Sequence, residues 1–317
     1  MTTNPTKPPL PLASYEYDYK PLPENRSIRV LQLLPGEPDD EIHCRVHHAT
    51  LDDAEDTYEA ISYAWGDAAN RTAITCDGKA MQITVSLADA LRALRDQHRS
   101  KRLWADAICI NQQDVAEKSH QVSQMGEVYE NAREVAVWLG NDNDGVARRC
   151  FDLINKTKLY LLPLFEIHGP YVEQISAIAL PDALSGRSDL CKIRDMLSLP
   201  WFKRVWVIQE VAVAKECVMA WGSHRIEMAQ VAELVHWWAF REDLTPFNTV
   251  FLAGYGTFVT TGYQTYANDS SWLRTRGLPL TKSRHGQIKT DSWRLPHISK
   301  WAENLRQQIA PTMYTPS

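Results

Sequence analysis

Leu103-Trp-Ala-Asp-Ala-Ile-Cys-Ile110 is apolar throughout except for Asp106, and Asn111-Gln-Gln-Asp114-Val-Ala-Glu117 follows it directly. Such an apolar run predicts a strand buried on both faces, as in a parallel sheet. Asp114 with Glu117 three residues on predicts a helix start. The apolar stripe Val115, Val122, Met125, Tyr129 and Ala132 gives that helix a face for packing on a sheet. Glu134–Leu139 then predicts another short strand, closed by Gly140 and the polar loop 141–145. Upstream, Ala60–Ala64 reads as a strand that stops at Trp65-Gly66-Asp67, and Ser86-Leu-Ala-Asp89 begins a helix with a serine cap whose Leu87, Leu91 and Leu94 face a core. Strand, helix, strand, helix, strand in this order predicts an α/β fold with parallel strands flanked by helices.

Further out, Ser27–Leu34 and Ile42–Thr50 flank a proline- and glycine-rich turn and predict an added N-terminal β-hairpin. Asp77-Gly78 between Ala73–Cys76 and Met81–Val85 is a second hairpin signal. Helices are predicted around Val146–Lys158 and Asp189–Ser198, from Trp201 to Ala214 with Trp201, Val205, Ile208 and Ala212 inward, and over Gln230–Phe240 with Trp237 and Trp238. Glu216–Ala220 reads as a strand. Residues 1–24, rich in proline and tyrosine, read as an extended arm, 25–241 as the folded domain, and 242–317 as a polar, poorly patterned segment. The last contains a locally basic stretch, Arg274 to Arg294, with too few interleaved aromatics for a nucleic-acid surface.

Of the 317 residues, 44% are hydrophobic and 23% charged, which supports a packed core and excludes wholesale disorder. A net charge of −5 gives no general attraction to nucleic acid or anionic membrane. No apolar signal-peptide core or membrane-spanning run is present, so a cytoplasmic location is expected. The six cysteines are spread singly, without a C-x-x-C pair, and His43, His47 and His48 lack an accompanying thiol or carboxylate array. No metal site and no cofactor is expected. Cys109 and Cys217 read as small hydrophobes.

No P-loop, dinucleotide fingerprint or nucleophile elbow occurs, and Ser62 has no histidine placed for a triad. The chemistry-bearing candidates are carboxylates and aromatics. Asp106 is a lone charge in an apolar run, either a ligand contact or a buried acid bonded to backbone amides or an arginine. Asp67 lies just past a strand end, where open α/β sheets bind ligands, or is a turn or capping residue. Trp65 and Trp206 are candidates to stack on a ligand ring, the alternative being core. Glu210 stands four residues after Trp206, and its helical neighbours Trp206, Val207, Val213 and Ala214 are not basic. A carboxylate so placed needs a ligand, or a distant cation such as Arg133 or Arg204.

Three blocks resemble those of the fungal heterokaryon incompatibility (HET) domain. They are Ser62-Tyr63-Ala64-Trp65-Gly66, then Trp104-Ala-Asp106-Ala-Ile-Cys109-Ile110-Asn111-Gln112, then Trp206-Val-Ile-Gln209-Glu210, with Gln121-Val122, Met125, Tyr129 and Trp138-Leu139-Gly140 between them. The resemblance covers roughly residues 15–225. It implies non-self recognition and programmed cell death, with self-association into a homo-oligomer and an unidentified incompatibility partner. HET domains are in turn similar to TIR domains, which implies a flavodoxin-like, mostly parallel sheet with extra helices. Several TIR domains cleave NAD with a glutamate four residues after a tryptophan, which implies a catalytic Glu210 and an NAD substrate. Tyr63, Trp65, Asp67, Asp106 and Trp206 are then the expected substrate-binding residues. The second reading is a non-catalytic signalling module in which Glu210 belongs to the core or an interface.

Overall fold

The computed structural model describes residues 17–23, 26–168, 181, 184, 186–204 and 206–239. The expectations for residues 1–16 and 242–317 lie outside them, as does the buried face proposed through Val205 and the placement of the Trp237 and Trp238 side chains.

The described strands are β1 (Ser27–Leu33), β2 (His43–Thr50), β3 (Glu59–Tyr63), β4 (Arg71–Cys76), β5 (Lys79–Thr84), β6 (Lys101–Trp104), β7 (Glu134–Trp138), β8 (Cys217–Trp221) and β9 (His224–Glu227). They form one sheet in the order β5-β4-β2-β1-β6-β3-β7-β8-β9. The helices are α1 (Leu51–Ala54), α2 (Val85–Leu94), α3 (Asp106–Cys109), α4 (Val115–Asn131), α5 (Ala147–His168), α6 (Arg187–Leu197), α7 (Val207–Ala212) and α8 (Met228–Ala239). The α/β class holds, but the sheet is mixed rather than mostly parallel. Four pairings are parallel (β2/β4, β3/β6, β3/β7, β7/β8) and four antiparallel (β1/β2, β1/β6, β4/β5, β8/β9). Short connections can join only antiparallel neighbours, so β1/β2, β4/β5 and β8/β9 are hairpins, set around one central run of four mutually parallel strands. Those strands, β6-β3-β7-β8, run second-first-third-fourth in chain order. The N-terminal hairpin is not an edge addition, because β1 sits between β2 and β6.

Local chemistry explains where the elements differ from expectation. The apolar run at Leu103 is a strand only to Trp104; Asp106 then opens the one-turn helix α3, its carboxylate accepting the Ala107 amide at 2.7 Å. Thr84, not Ser86, caps α2 by accepting the Leu87 amide, while Ser86 donates to the Ala64 carbonyl at 2.6 Å. Asp114 does cap α4, accepting the Ala116 and Glu117 amides. Val115 is 68% exposed, and the buried stripe of α4 is Gln121, Val128 and Tyr129. The helix expected from Trp201 to Ala214 is broken into a 3-10 turn, Pro200–Lys203, and α7. In that segment Trp201, Val207, Glu210 and Val211 are buried, whereas Ala212 keeps partial exposure.

Among the described residues the core also encloses the cation of Arg29. Arg29 on β1 has no exposed surface and meets Glu117 of α4 through both terminal nitrogens, Nη1 at 2.6 and Nη2 at 2.9 Å. The guanidinium donates as well to the Cys109 and Lys20 carbonyls and lies 4.9 Å from the Tyr19 ring centroid. Tyr19 in turn donates to the Ile108 carbonyl. Part of the N-terminal arm, α3 and α4 are thereby fastened to one point of β1, and α3 is the turn that presents Asp106.

Candidate functional site

Side chains from all three sequence blocks meet at the carboxyl ends of β3 and β6. Alternation along β3 sends Ser62 and Tyr63 to opposite sides, and both are buried. Gly66, with φ +71°, turns the chain just beyond Trp65. Around Asp106, the Tyr63 hydroxyl donates to Oδ1 at 3.1 Å and the Trp65 indole to Oδ2 at 2.9 Å. Gln112 Nε2 returns to the Asp106 carbonyl at 2.9 Å, closing the α3 turn on itself.

Glu210, 2% exposed, lies on the inner side of α7 and accepts the Ser62 hydroxyl. Trp201 donates its indole N–H to the same Ser62 oxygen at 2.8 Å. Trp201 and Glu210 are nine positions apart, about two and a half turns, so one continuous helix would send them to opposite faces. The break between the 3-10 turn and α7 lets both reach Ser62. It also frees Arg204, which donates to the Tyr63 carbonyl and places Nη2 3.5 Å from Glu210 Oε1.

Two carboxylates thus share the field of one arginine. Burial pushes Glu210 up to about 7 from an ordinary 4.5, against the opposing pull of Arg204 and the Ser62 hydroxyl and with the Asp106 charge adding to the rise. Burial raises Asp106 as well, opposed by its Trp65, Tyr63 and Ala107 hydrogen bonds and by Arg204. Burial likewise holds Tyr63 and Tyr129 well above the usual phenol range. A carboxyl group that exchanges its proton near neutral pH can serve as acid, base or counter-charge. Ser62 is buried, with its oxygen engaged by Trp201 and its proton by Glu210, so it orients the carboxylate.

Tyr63, Trp65 and Asp106 therefore form one hydrogen-bonded group, joined through Arg204 to Glu210. Asp67 stands apart: it is exposed and accepts the Ala69 amide at 2.9 Å, a turn residue. Trp206 is half-buried and enters through its main chain, its carbonyl accepting the Gln209 and Glu210 amides. Arg133, considered as a distant partner for Glu210, instead pairs with Glu59 at 2.7 Å. Sequence reasoning passed over Trp201 and set Ser62 aside for want of a histidine. The available signal was a lone hydroxyl inside the apolar run Ala60–Ala64. Among the described residues no three His, Cys, Asp or Glu side chains are grouped to hold a metal ion, and no helix is long and apolar enough to cross a membrane.

Comparison with known proteins matches residues 58–210 to the family described as "Heterokaryon incompatibility protein (HET)". The match begins at Tyr58, just before β3, and ends at Glu210. A curated relative, "Heterokaryon incompatibility protein 6, OR allele" of Neurospora crassa, is 31% identical over 252 residues. That alignment covers 69% of this chain and 37% of the relative. No solved structure matches.

Proposed function

The chain carries a heterokaryon incompatibility (HET) domain, and from that premise we propose that it acts in fungal non-self recognition and cell death by cleaving the nicotinamide–ribose bond of NAD at the Glu210 site. The supporting observation is the convergence of all three blocks into one hydrogen-bonded group at the carboxyl ends of the parallel strands, where open α/β sheets bind ligands. The second-first-third-fourth order of the four central strands supports the reading in part, since it agrees with the start of the 2-1-3-4-5 order of flavodoxin-like sheets. Cleavage develops oxocarbenium-like charge on the ribose, which the ionised Glu210 would stabilise, as carboxylates do in glycoside hydrolysis. Asp106 and Tyr63 would hold hydroxyls, and Trp65 would stack on a ring. Glu210 is covered by Ser62 and Arg204 in this state, so substrate entry requires α7 to move, a step we assign to self-association.

The second reading is a non-catalytic, self-associating module. The observation in its favour is that Glu210 is buried with both oxygens already engaged. Nicotinamide release from NAD by concentrated, crowded protein, wild type beside Glu210→Gln, separates the two. Release by wild type and not by a folded Glu210→Gln variant supports the hydrolase. No release from wild-type protein shown to be oligomeric overturns it and leaves the module.

A further inference from the structure

Arg204 closes the 3-10 turn, its amide donating to the Trp201 carbonyl at 3.2 Å, and so lies in the break before α7 rather than on either element. Its side chain keeps 24% of its surface, against 3% for that of Glu210. A guanidinium carries five N–H donors in a planar fork. Among the described residues, one hydrogen bond engages that fork, from Nη1 to the Tyr63 carbonyl. Nη2 stands 3.5 Å from Glu210 Oε1, an ion-pair distance longer than a hydrogen bond. The other donors are uncommitted. The pairing is also loose in effect, because burial outweighs it and holds the Glu210 proton up to about 7. An arginine kept only as the counter-ion of Glu210 would hold that carboxyl low. The same guanidinium is the cation that acts on Asp106, Tyr63 and Tyr129.

We infer that Arg204 is the diphosphate-recognition residue of this site, giving up Glu210 to a dinucleotide's phosphates and leaving that carboxylate free to face the ribose. The inference rests on the NAD reading of the site and supplies the group that meets the substrate's negative charge. A dianion approaching Glu210 and Asp106 meets carboxylate charge unless a cation intervenes. A planar fork with uncommitted donors takes two phosphate oxygens at once, which a point charge cannot do. The nearer phosphate of NAD is joined through C5′ to the same ribose whose C1′ reacts, so its cation belongs beside the reacting carboxylate, where Arg204 stands. Passing the fork from carboxylate to phosphate exchanges one ion pair for another. Only a substrate that brings its own anion makes that exchange, so Glu210 stays covered against neutral nucleosides.

The test compares kcat/KM for NAD with that for nicotinamide riboside, which has the same scissile bond and no phosphate, in the full chain, concentrated and crowded. Arg204→Ala changes the charge beside Glu210 for both substrates alike, so that effect cancels in the ratio of the two. The NAD-to-riboside ratio is expected to fall about 10- to 100-fold, as for a lost charge-assisted hydrogen bond. Arg204→Lys keeps the charge and loses the fork, so it recovers part of the ratio and reads recognition even where the alanine variant does not fold. A ratio unchanged in both variants overturns the inference and leaves Arg204 a counter-ion. Where wild type releases no nicotinamide, the hydrolase reading falls, and calorimetric titration with inorganic pyrophosphate decides the anion site alone. Uptake by wild type that Arg204→Ala weakens about 10-fold or more upholds the site; equal or absent uptake overturns it.

Discussion

The Ser62 hydroxyl hydrogen-bonds the Glu210 carboxylate, although 148 positions separate them in the chain. Trp201 completes the contact from the other side of the serine oxygen. The end of β3 is held to α7 by three polar groups that water does not reach, so each depends on the others for its hydrogen bond.

Ser62→Ala strands the Trp201 indole N–H and removes a donor from Glu210. The expected loss is about 2–4 kcal/mol, the cost of leaving buried polar groups unpaired. Urea denaturation measures it; an unchanged midpoint would mean that water or a neighbour replaces the hydroxyl.

Stability should respond to pH through the same carboxyl group. Folded Glu210 holds its proton to about pH 7, against an ordinary value of 4.5. Between those values the folded protein binds a proton that the unfolded chain has released. The contribution of this group is therefore whole below the lower value and lost as pH rises through the upper one, by at most about 1.4 kcal/mol per pH unit. Glu210→Gln has no proton to lose, so its stability relative to wild type should improve across that window by on the order of 2–3 kcal/mol. Parallel stability–pH profiles for the two proteins would contradict the assignment.

Much of the sheet was legible because its strands are short apolar runs punctuated by turn residues. Asp77 and Gly78, with φ 49° and 76°, form the tight turn that their pairing predicts. The position of β1 between β2 and β6 was not legible, because strand order depends on tertiary contacts that periodicity does not encode. The break after Lys203 was hidden for a related reason. Local pattern favours one helix from Trp201, and only the common target Ser62 makes a continuous helix untenable. Asp106 was found as a lone charge in an apolar run and Trp65 as an aromatic, whereas Tyr63 entered only through the family resemblance and Arg204 only as a structural alternative. Its six-residue separation from Glu210 is not a helical contact spacing.

The pair of buried Arg29 and half-buried Glu117 gives a third expectation. Arg29→Met leaves the Glu117 carboxylate facing the core without its cation, at an expected cost of about 3–5 kcal/mol. Arg29→Met with Glu117→Met should recover part of that loss, because two apolar chains pack where neither charge remains. A double-mutant cycle in guanidinium chloride reads the coupling; additive losses would show that the two side chains act independently.

Gly222, in the β8–β9 turn, has φ +56°, and an added Cβ would stand 2.8 Å from Asp142 Cβ. Asp142 caps α5 through the Val146 and Ala147 amides, so it is not free to give way. Gly222→Ala should cost roughly 1–3 kcal/mol and lower the melting temperature, as calorimetry would show. A neutral substitution would indicate that the turn relaxes without disturbing the cap.

The interior position of β1 matters during synthesis. Leu31 and Leu33 of β1 pair with Leu103 and Lys101 of β6, so the ribosome delivers β1 well before the strand that covers its second side. Until residue 104 has emerged, the β1–β2 hairpin presents an apolar strand with unpaired amides and carbonyls, an invitation to cross-pairing between nascent chains on one messenger. That edge stays open to such pairing until β6 arrives.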